Sequence, residues 1–392
     1  MLDPASRRML LCVLPAALAS VLCACNSGPA PQAGPESPLA PPTPYHLFVA
    51  PNGADSNLGS ESSPFFSIEQ ASRVAFPGTT VHVAPGNYSG GFKTLANGTE
   101  RARIYYVATR PGYARIVPPA VSVNATAWDN RGNYVDIVGF DIDGSGHRAG
   151  VRWRNGIYSA GSFDSLRHNL VHHIANGRVC LAPDGIDGAA ITIESYFRGV
   201  HGEVIGNTVY DIGAVDCPAV QGIAINTTAL VANNLVFRSG HAGIYLWHDA
   251  RQVRVIDNTV IGGNIGILVG AGNFYLAPGA NDFTQVSNNI VFDNLSGIVE
   301  SGATGAHNVY RSNLVFNNKD GDWRLAKGMG HSGSVAADPG FVAYRREGMP
   351  DLRLAAGSAA IGKGDIHYAH RVDFNGAARS ADSGIDIGAL QH

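Results

Sequence analysis

One triplet recurs through the middle of the chain and limits the folds open to it. It reads Asn169-Leu170-Val171, Asn207-Thr208-Val209, Asn234-Leu235-Val236, Asn258-Thr259-Val260, Asn289-Ile290-Val291 and Asn313-Leu314-Val315. Two of the intervals are 24 residues, and the others, 38, 27 and 31, are that unit lengthened by an insertion. In antiphase runs a second phrase, Gly222-Ile223, Gly243-Ile244, Gly266-Ile267 and Gly297-Ile298. Each unit is expected to hold two short apolar strands, and a period in the twenties is one turn of a solenoid.

Short Val- and Ile-rich segments broken by Gly and Asn, with almost no helical periodicity, predict strands throughout. One such turn cannot bury its own apolar face, so turns must stack into parallel sheets around a continuous core. An asparagine at one recurring corner is expected to form an internal amide ladder while tolerating the bend. Glycine before isoleucine is expected to permit a tight turn into the next strand. Leucine-rich repeats would need leucines at fixed spacing and a helix, and neither is present. The fold class is therefore all-β, a parallel solenoid.

The N-terminus, MLDPASRRMLLCVLPAALASVLCAC, places two arginines before an apolar run too short to span a membrane and reads as an export signal over residues 1–24. Leu22-Cys23-Ala24-Cys25 has the order of a bacterial lipobox, with Cys25 the lipidated first residue of the mature chain; an ordinary signal peptide cut nearby is the alternative. Asn26 after that cysteine points to the outer membrane rather than the inner. Residues 25–44 are prolines and small residues with a single charge, a stiff tether. Residues 45–392 form one domain: first turns to 120, repeats to 320, and a closing segment. The mature chain beyond the anchor keeps only Cys180 and Cys217, which read as one disulfide closing roughly 4 kcal/mol of chain entropy, or as a metal pair or two thiols. A net charge of -3 with 15% charged residues excludes the basic field of a nucleic-acid binder. A monomer is expected.

Beyond the repeat, YHLFVAPNGADSNLGSESSPFFSIEQASRVAFPGTTVHVAPGNYSGG and the closing LRLAAGSAAIGKGD and DFNGAARSADSGIDIGALQH resemble segments of exported proteins of the pectate lyase superfamily, including family-nine polysaccharide lyases. The resemblance implies a right-handed parallel β-helix, with a short helix over Ser67 to Ala75 capping its open end. It specifies architecture more than chemistry, because this fold carries lyases, hydrolases, epimerases and adhesins.

Two corners per turn can carry a site. After the Asn strand, the enlarged loops Ala175 to Gly188 and Asp211 to Gln221 hold Cys180 and Cys217, and with them Asp184, Asp187, Asp211 and Asp216, preceded by His172 and His173. Four neighbouring carboxylates repel unless a cation intervenes, and oxygen ligands suit Ca2+, which the resemblance also implies; Asp-Gly turns are the plainer reading. After the Gly-Ile strand come Trp247-His248-Asp249, Glu300 and the insertion Gly270 to Gln285. Strand alternation sends Tyr245, Trp247, Tyr158, Thr192, Glu194, Ala224 and Asn226 outward. The Gly-Ile sheet then becomes the floor of a shallow groove for a polymer, with Tyr158, Trp247, Asn226 and Arg254 as binding residues.

For an acidic polysaccharide, β-elimination needs a neutralised carboxylate, a base and an acid. The lysines are only Lys93, Lys319, Lys327 and Lys363, none in the turns from Gly156 to Phe316. Where family-nine lyases carry a lysine after Asp-Gly-x-Ala, the nearest match here is Asp187-Gly188-Ala189-Ala190-Ile191-Thr192. The base is then His248, with Asp249 adjoining, or His241, His172, His173, Tyr245 or Arg254. Glu194 and Glu300 could instead form a hydrolytic pair, and epimerisation on the same fold is open. A non-catalytic polysaccharide-binding or surface protein is the rival from another class, and lysine-free turns favour it.

Overall fold

The computed structural model describes residues 45–392 except 177–187, 215, 216, 218, 327, 381 and 383. Cys25, Cys180, Asp184, Asp187 and Asp216 lie outside these. The chain winds as a right-handed parallel β-helix of three sheets, with 10, 9 and 9 strands. Each turn has three strands rather than the expected two. The Gly-Ile strand (for example Ala242–Leu246) leads to a strand of the first sheet (Arg254–Ile256) and then to the Asn strand (Thr259–Ile261). The additional strand carries no recurring residue in sequence, which is why the triplets alone did not reveal it.

The asparagines form an unbroken ladder. Nδ2 of Asn169 donates to Oδ1 of Asn207, and the same bond repeats from 207 to 234, 234 to 258, 258 to 289 and 289 to 313, at 2.9–3.1 Å. Each acceptor oxygen also takes the backbone N–H of the preceding asparagine, and each Nδ2 gives its other proton to a carbonyl. These amides are almost fully buried, where an unmade hydrogen bond costs about 1–3 kcal/mol. The bend falls one residue earlier than expected: His168, Gly206, Asn233, Asp257, Asn288 and Ser312 hold φ of 52–67°. The asparagine supplies amides, and its predecessor turns the chain.

The recurring glycine also has a different cause. None of Gly156, Gly222, Gly243, Gly266 and Gly297 has a positive φ. A Cβ on each would meet Cγ1 of the triplet valine across the same turn: Val171 at 2.6 Å, Val236 at 2.9 Å, Val260 at 2.3 Å, Val291 at 2.3 Å and Val315 at 2.9 Å. Glycine is required because a methyl there would clash with that valine and, at Gly156, Gly222 and Gly297, still more closely with a backbone carbonyl of the next turn, at 2.4, 2.5 and 2.1 Å. Gly-Ile and Asn-x-Val are thus two halves of one packing rule.

One end and one side are covered. The helix Ile68–Val74, N-capped by Ser67, packs Ile68 and Ala71 into the first turn. The C-terminal segment lies over the outer face of the third sheet, where Leu352, Leu354, Ile387 and Leu390 join Phe237, Ile261, Phe292 and Leu314. It is pinned to the bend residues by Arg379 to Asn233, His370 N–H to Asp257, and Asp365 N–H to Asn288. The outer face of the Gly-Ile sheet carries no such covering among the described residues.

Two outcomes follow for stability. Gly243→Ala is expected to cost about 1–3 kcal/mol by overpacking, read from denaturant midpoints, and Val260→Ala in the same chain should recover part of that loss, a non-additivity that separates steric conflict from turn strain. The second concerns Asp164, buried under bonds from Asn130, Ser159 and the Val135 N–H, where burial pushes its carboxyl from 3.8 to about 7. A raised folded pKa means protons held by the folded state, so this contribution is complete below pH 3.8 and lost as pH rises through about 7. Thermal unfolding between these limits should show stability falling with pH, and Asp164→Asn should flatten the slope.

Candidate active site

Parallel pairing aligns outward side chains into rows. Asp129, Tyr158, Thr192, Ala224 and Tyr245 stand side by side on five successive strands of the Gly-Ile sheet. At about 4.8 Å per strand the row runs about 19 Å along the helix axis. Beyond it lie Glu194, Asn226 and Trp247, and together these residues floor a groove of about 670 Å³. One wall is Tyr196, Phe197, His248, Asn273 and Tyr275; the other includes Gly188, Ala219 and Gln221. The expected outward set is therefore brought together on one face.

The polar groups of the floor are held, not loose. Glu194 Oε1 accepts the N–H groups of Ser195 and Tyr196 at 2.8 and 3.1 Å, and Oε2 accepts Asn226 Nδ2 at 3.1 Å. Asn226 lines the groove, and its Oδ1 is buried with no protein hydrogen-bond partner. Burial, then the charge and hydrogen bond of Glu194, push the Tyr158 hydroxyl above its ordinary range, and burial does the same to Tyr245. Both phenols stay protonated and act as donors. At the N-terminal end Asp129 takes a bidentate contact from Arg131 and an ion pair from Lys93 at 3.4 Å. The Arg131 guanidinium lies 3.6 Å over Phe197, and Arg154 completes that end.

His248 has a defined protonation pattern. Its Nδ1 lies 2.9 Å from the Asn273 carbonyl, which can only accept, so Nδ1 carries the proton in the neutral ring. Nε2 then accepts the Tyr275 hydroxyl at 2.8 Å, with the rings stacked at 3.9 Å. The groove is thus offered a tyrosine oxygen backed by an imidazole. His241 reaches a similar state by another route. Gln221 Oε1 accepts both Ala242 N–H and His241 Nδ1, which leaves His241 Nε2 unprotonated, and burial lowers its basicity. His241 packs edge-on to Tyr245, 5.8 Å away, behind the groove surface.

Other sequence candidates take different places. Asp249 is buried, accepting Ser195 Oγ at 2.9 Å and the N–H groups of Tyr275 and Leu276 at 3.1 and 3.2 Å. It fastens one wall to the other strand end and faces no substrate space. Glu300 is spent on Tyr310, Asn308 and the Ala326 N–H. Its strand is four places from that of Glu194 in the sheet, about 19 Å, whereas a hydrolytic pair needs about 5–9.5 Å. That pair does not form. Arg254 belongs to the first sheet and does not line the groove. Asp211 is bonded by Arg238 and lines a separate cavity. Cys217 is buried.

Sequence reasoning missed Tyr275, Gln221, Tyr196, Phe197, Arg131 and Asp129. Tyr196 and Phe197 occupy the same corner as Trp247 and were findable by that alignment. Tyr275 lies in an insertion with no repeat to place it, and the strand TAWDN lacks the Gly-Ile phrase.

Residues 51–94 match a family described as a protein of unknown function (DUF1565). A stretch of 55 residues is 38% identical to the uncharacterized protein YwoF of Bacillus subtilis (strain 168), covering 14% of this chain and only 12% of that one. Among solved structures the chain is similar to pectate lyase Pel9A, with TM-score 0.56 and 16% identity over 90% of this chain and 97% of that one. It is also similar to a rhamnogalacturonan lyase, with TM-score 0.53 and 14% identity over 85% and 99%. At these identities the likeness is one of fold.

The wall contacts carry their own test. Asp249→Ala should lower stability by about 1–3 kcal/mol through its stranded donors. Amide exchange should quicken at residues 273–277 while the ladder amides keep their protection.

Proposed function

We propose that this protein is an exported, lipid-anchored, monomeric β-helix protein that takes an acidic polysaccharide along the Gly-Ile groove and cleaves it by β-elimination. The observation that carries the reading is the meeting, on one sheet face, of stacking rings with an acid–base pair. Tyr245 and Trp247 stack at 5.6 Å and offer flat apolar surface to sugar rings. Beside them stands His248 with Tyr275.

In β-elimination the C–H bond beside the uronate carboxyl breaks, its electrons form the new double bond, and the glycosidic C–O bond to the leaving sugar breaks. In this groove Tyr275 passes its proton to His248 Nε2, and its oxygen then takes the sugar proton. Tyr245, kept protonated by burial, donates to the leaving oxygen. Arg131 and Arg154 supply positive charge toward the carboxylate.

Calcium is the cation that the resemblance calls for, but Asp211, the one described member of its candidate ligands, is already paired with Arg238. Asp184, Asp187 and Asp216 lie outside the described residues, and no step is routed through that ion. A specific observation favours the non-catalytic reading: Thr192 stands in the floor at the position matched to the family-nine lysine, and among the described residues no lysine lines the groove, Lys93 being engaged with Asp129 at its N-terminal end.

Incubation with pectate, alginate and glycosaminoglycans, with calcium and with chelator, and following the ultraviolet absorbance of unsaturated uronate, tests the proposal. His248→Ala and Tyr275→Phe are each expected to lower kcat about 10²–10⁴-fold, with KM little changed, while Trp247→Ala raises KM. Saturable glycan binding without turnover selects the binding reading. Neither binding nor turnover overturns both.

A further inference from the structure

The corner between the Asn sheet and the Gly-Ile sheet holds a second constellation, outside the groove. Asp143 and His172 are in register on neighbouring strands, Asp141–Asp143 and Leu170–His172, and both are buried. Successive strand residues point to opposite faces. The next residue, His173, escapes that rule because its φ of 56° ends the strand and swings its ring back toward its neighbour. The two Nδ1 atoms lie 2.6 Å apart with ring planes at 77°. Asp143 Oδ1 is 3.6 Å from His172 Nδ1, and one ligand atom from each of the three residues lies within 4.8 Å of the others.

The surroundings orient these atoms. His172 Nε2 lies 2.9 Å from Asp141 Oδ1, an acceptor, so Nε2 carries the proton and the Nδ1 lone pair points into the cluster. His173 Nε2 faces Asp211 Oδ2 at 3.8 Å. Arg115 holds both Asp141 and Asp143, and Arg238 holds Asp211. Tyr210 fixes the His172 ring plane by stacking at 4.8 Å and 4°. An imidazole whose far nitrogen is held by a carboxylate, as His172 is by Asp141, is the usual arrangement around a bound metal, because the carboxylate sets the tautomer and raises ligand basicity. Three carboxylates against two guanidiniums also leave one negative charge at the cluster.

We propose that His172, His173 and Asp143 bind one divalent transition-metal ion of the zinc class. Two imidazole nitrogens and one carboxylate suit such an ion and not calcium, which prefers oxygen throughout. With metal–nitrogen bonds of about 2.0–2.1 Å in a tetrahedral set, the ring nitrogens, now 2.6 Å apart, need to part by about 0.7 Å. The fourth position opens toward the cavity that His173 lines with Asp211 and Arg238. This site shares no residue with the groove and does not depend on its chemistry.

Zinc and cobalt(II) binding to the tag-free chain from Cys25 onward, stripped with chelator, tests it. Expected are one zinc per chain by calorimetry, visible d–d absorption on adding cobalt that zinc abolishes and calcium does not, and a zinc-dependent rise in Tm. His173→Asn is expected to weaken binding at least about 10-fold with the fold retained. Because His173 is only half-buried, it serves where His172→Asn fails to fold. No saturable zinc binding, or binding equal in His173→Asn and the parent chain, overturns the proposal and leaves the pair a histidine–histidine hydrogen bond.

Discussion

The stacked amides of the asparagine ladder are the interaction on which the rest of the structure depends. A parallel sheet whose strands could slip by one residue would exchange its buried and exposed sets. The ladder forbids this, because each amide oxygen takes two donors from one neighbour and each amide nitrogen is spent as well. The glycine–valine contact adds a steric lock at the opposite side of the same turn. Once both are satisfied, every outward side chain is placed on a row. The groove floor is such a row, and it needs no separate explanation of its alignment.

Function in this fold is then decided by which face stays open. The C-terminal segment takes the outer face of the Asn sheet and anchors itself on the left-handed bend residues, which turn the chain and present a hydrogen-bonding group at one point. The Gly-Ile sheet keeps its outer face, walled by corner loops. The left-handed corner positions also re-aim side chains: His248 and His173 both have positive φ, and both turn a ring that a regular strand would have pointed elsewhere.

The groove floor was legible in the sequence and the walls were less so. Tyr158, Thr192, Glu194, Ala224, Asn226, Tyr245 and Trp247 were placed by alternation, since a period of two needs only a correct phase. Arg254 and Glu300 were misplaced for a definite reason. Arg254 lies on a third strand that no repeating residue announces, and Glu300, though on the right sheet, sits too many turns from Glu194 to act with it. Asp249 adjoins His248 in sequence but turns inward to tie the wall.

The residue pattern by itself determined the solenoid, the amide ladder and the outward face, because these follow from local periodicity repeated until it becomes a core. Tertiary structure alone decided that Tyr275 comes to His248, that Asn226 is held by Glu194 in the floor, and that the His172 and His173 rings share one side. Those outcomes depend on where non-repeating insertions and single left-handed residues carry a side chain. No periodicity encodes that, because each occurs once.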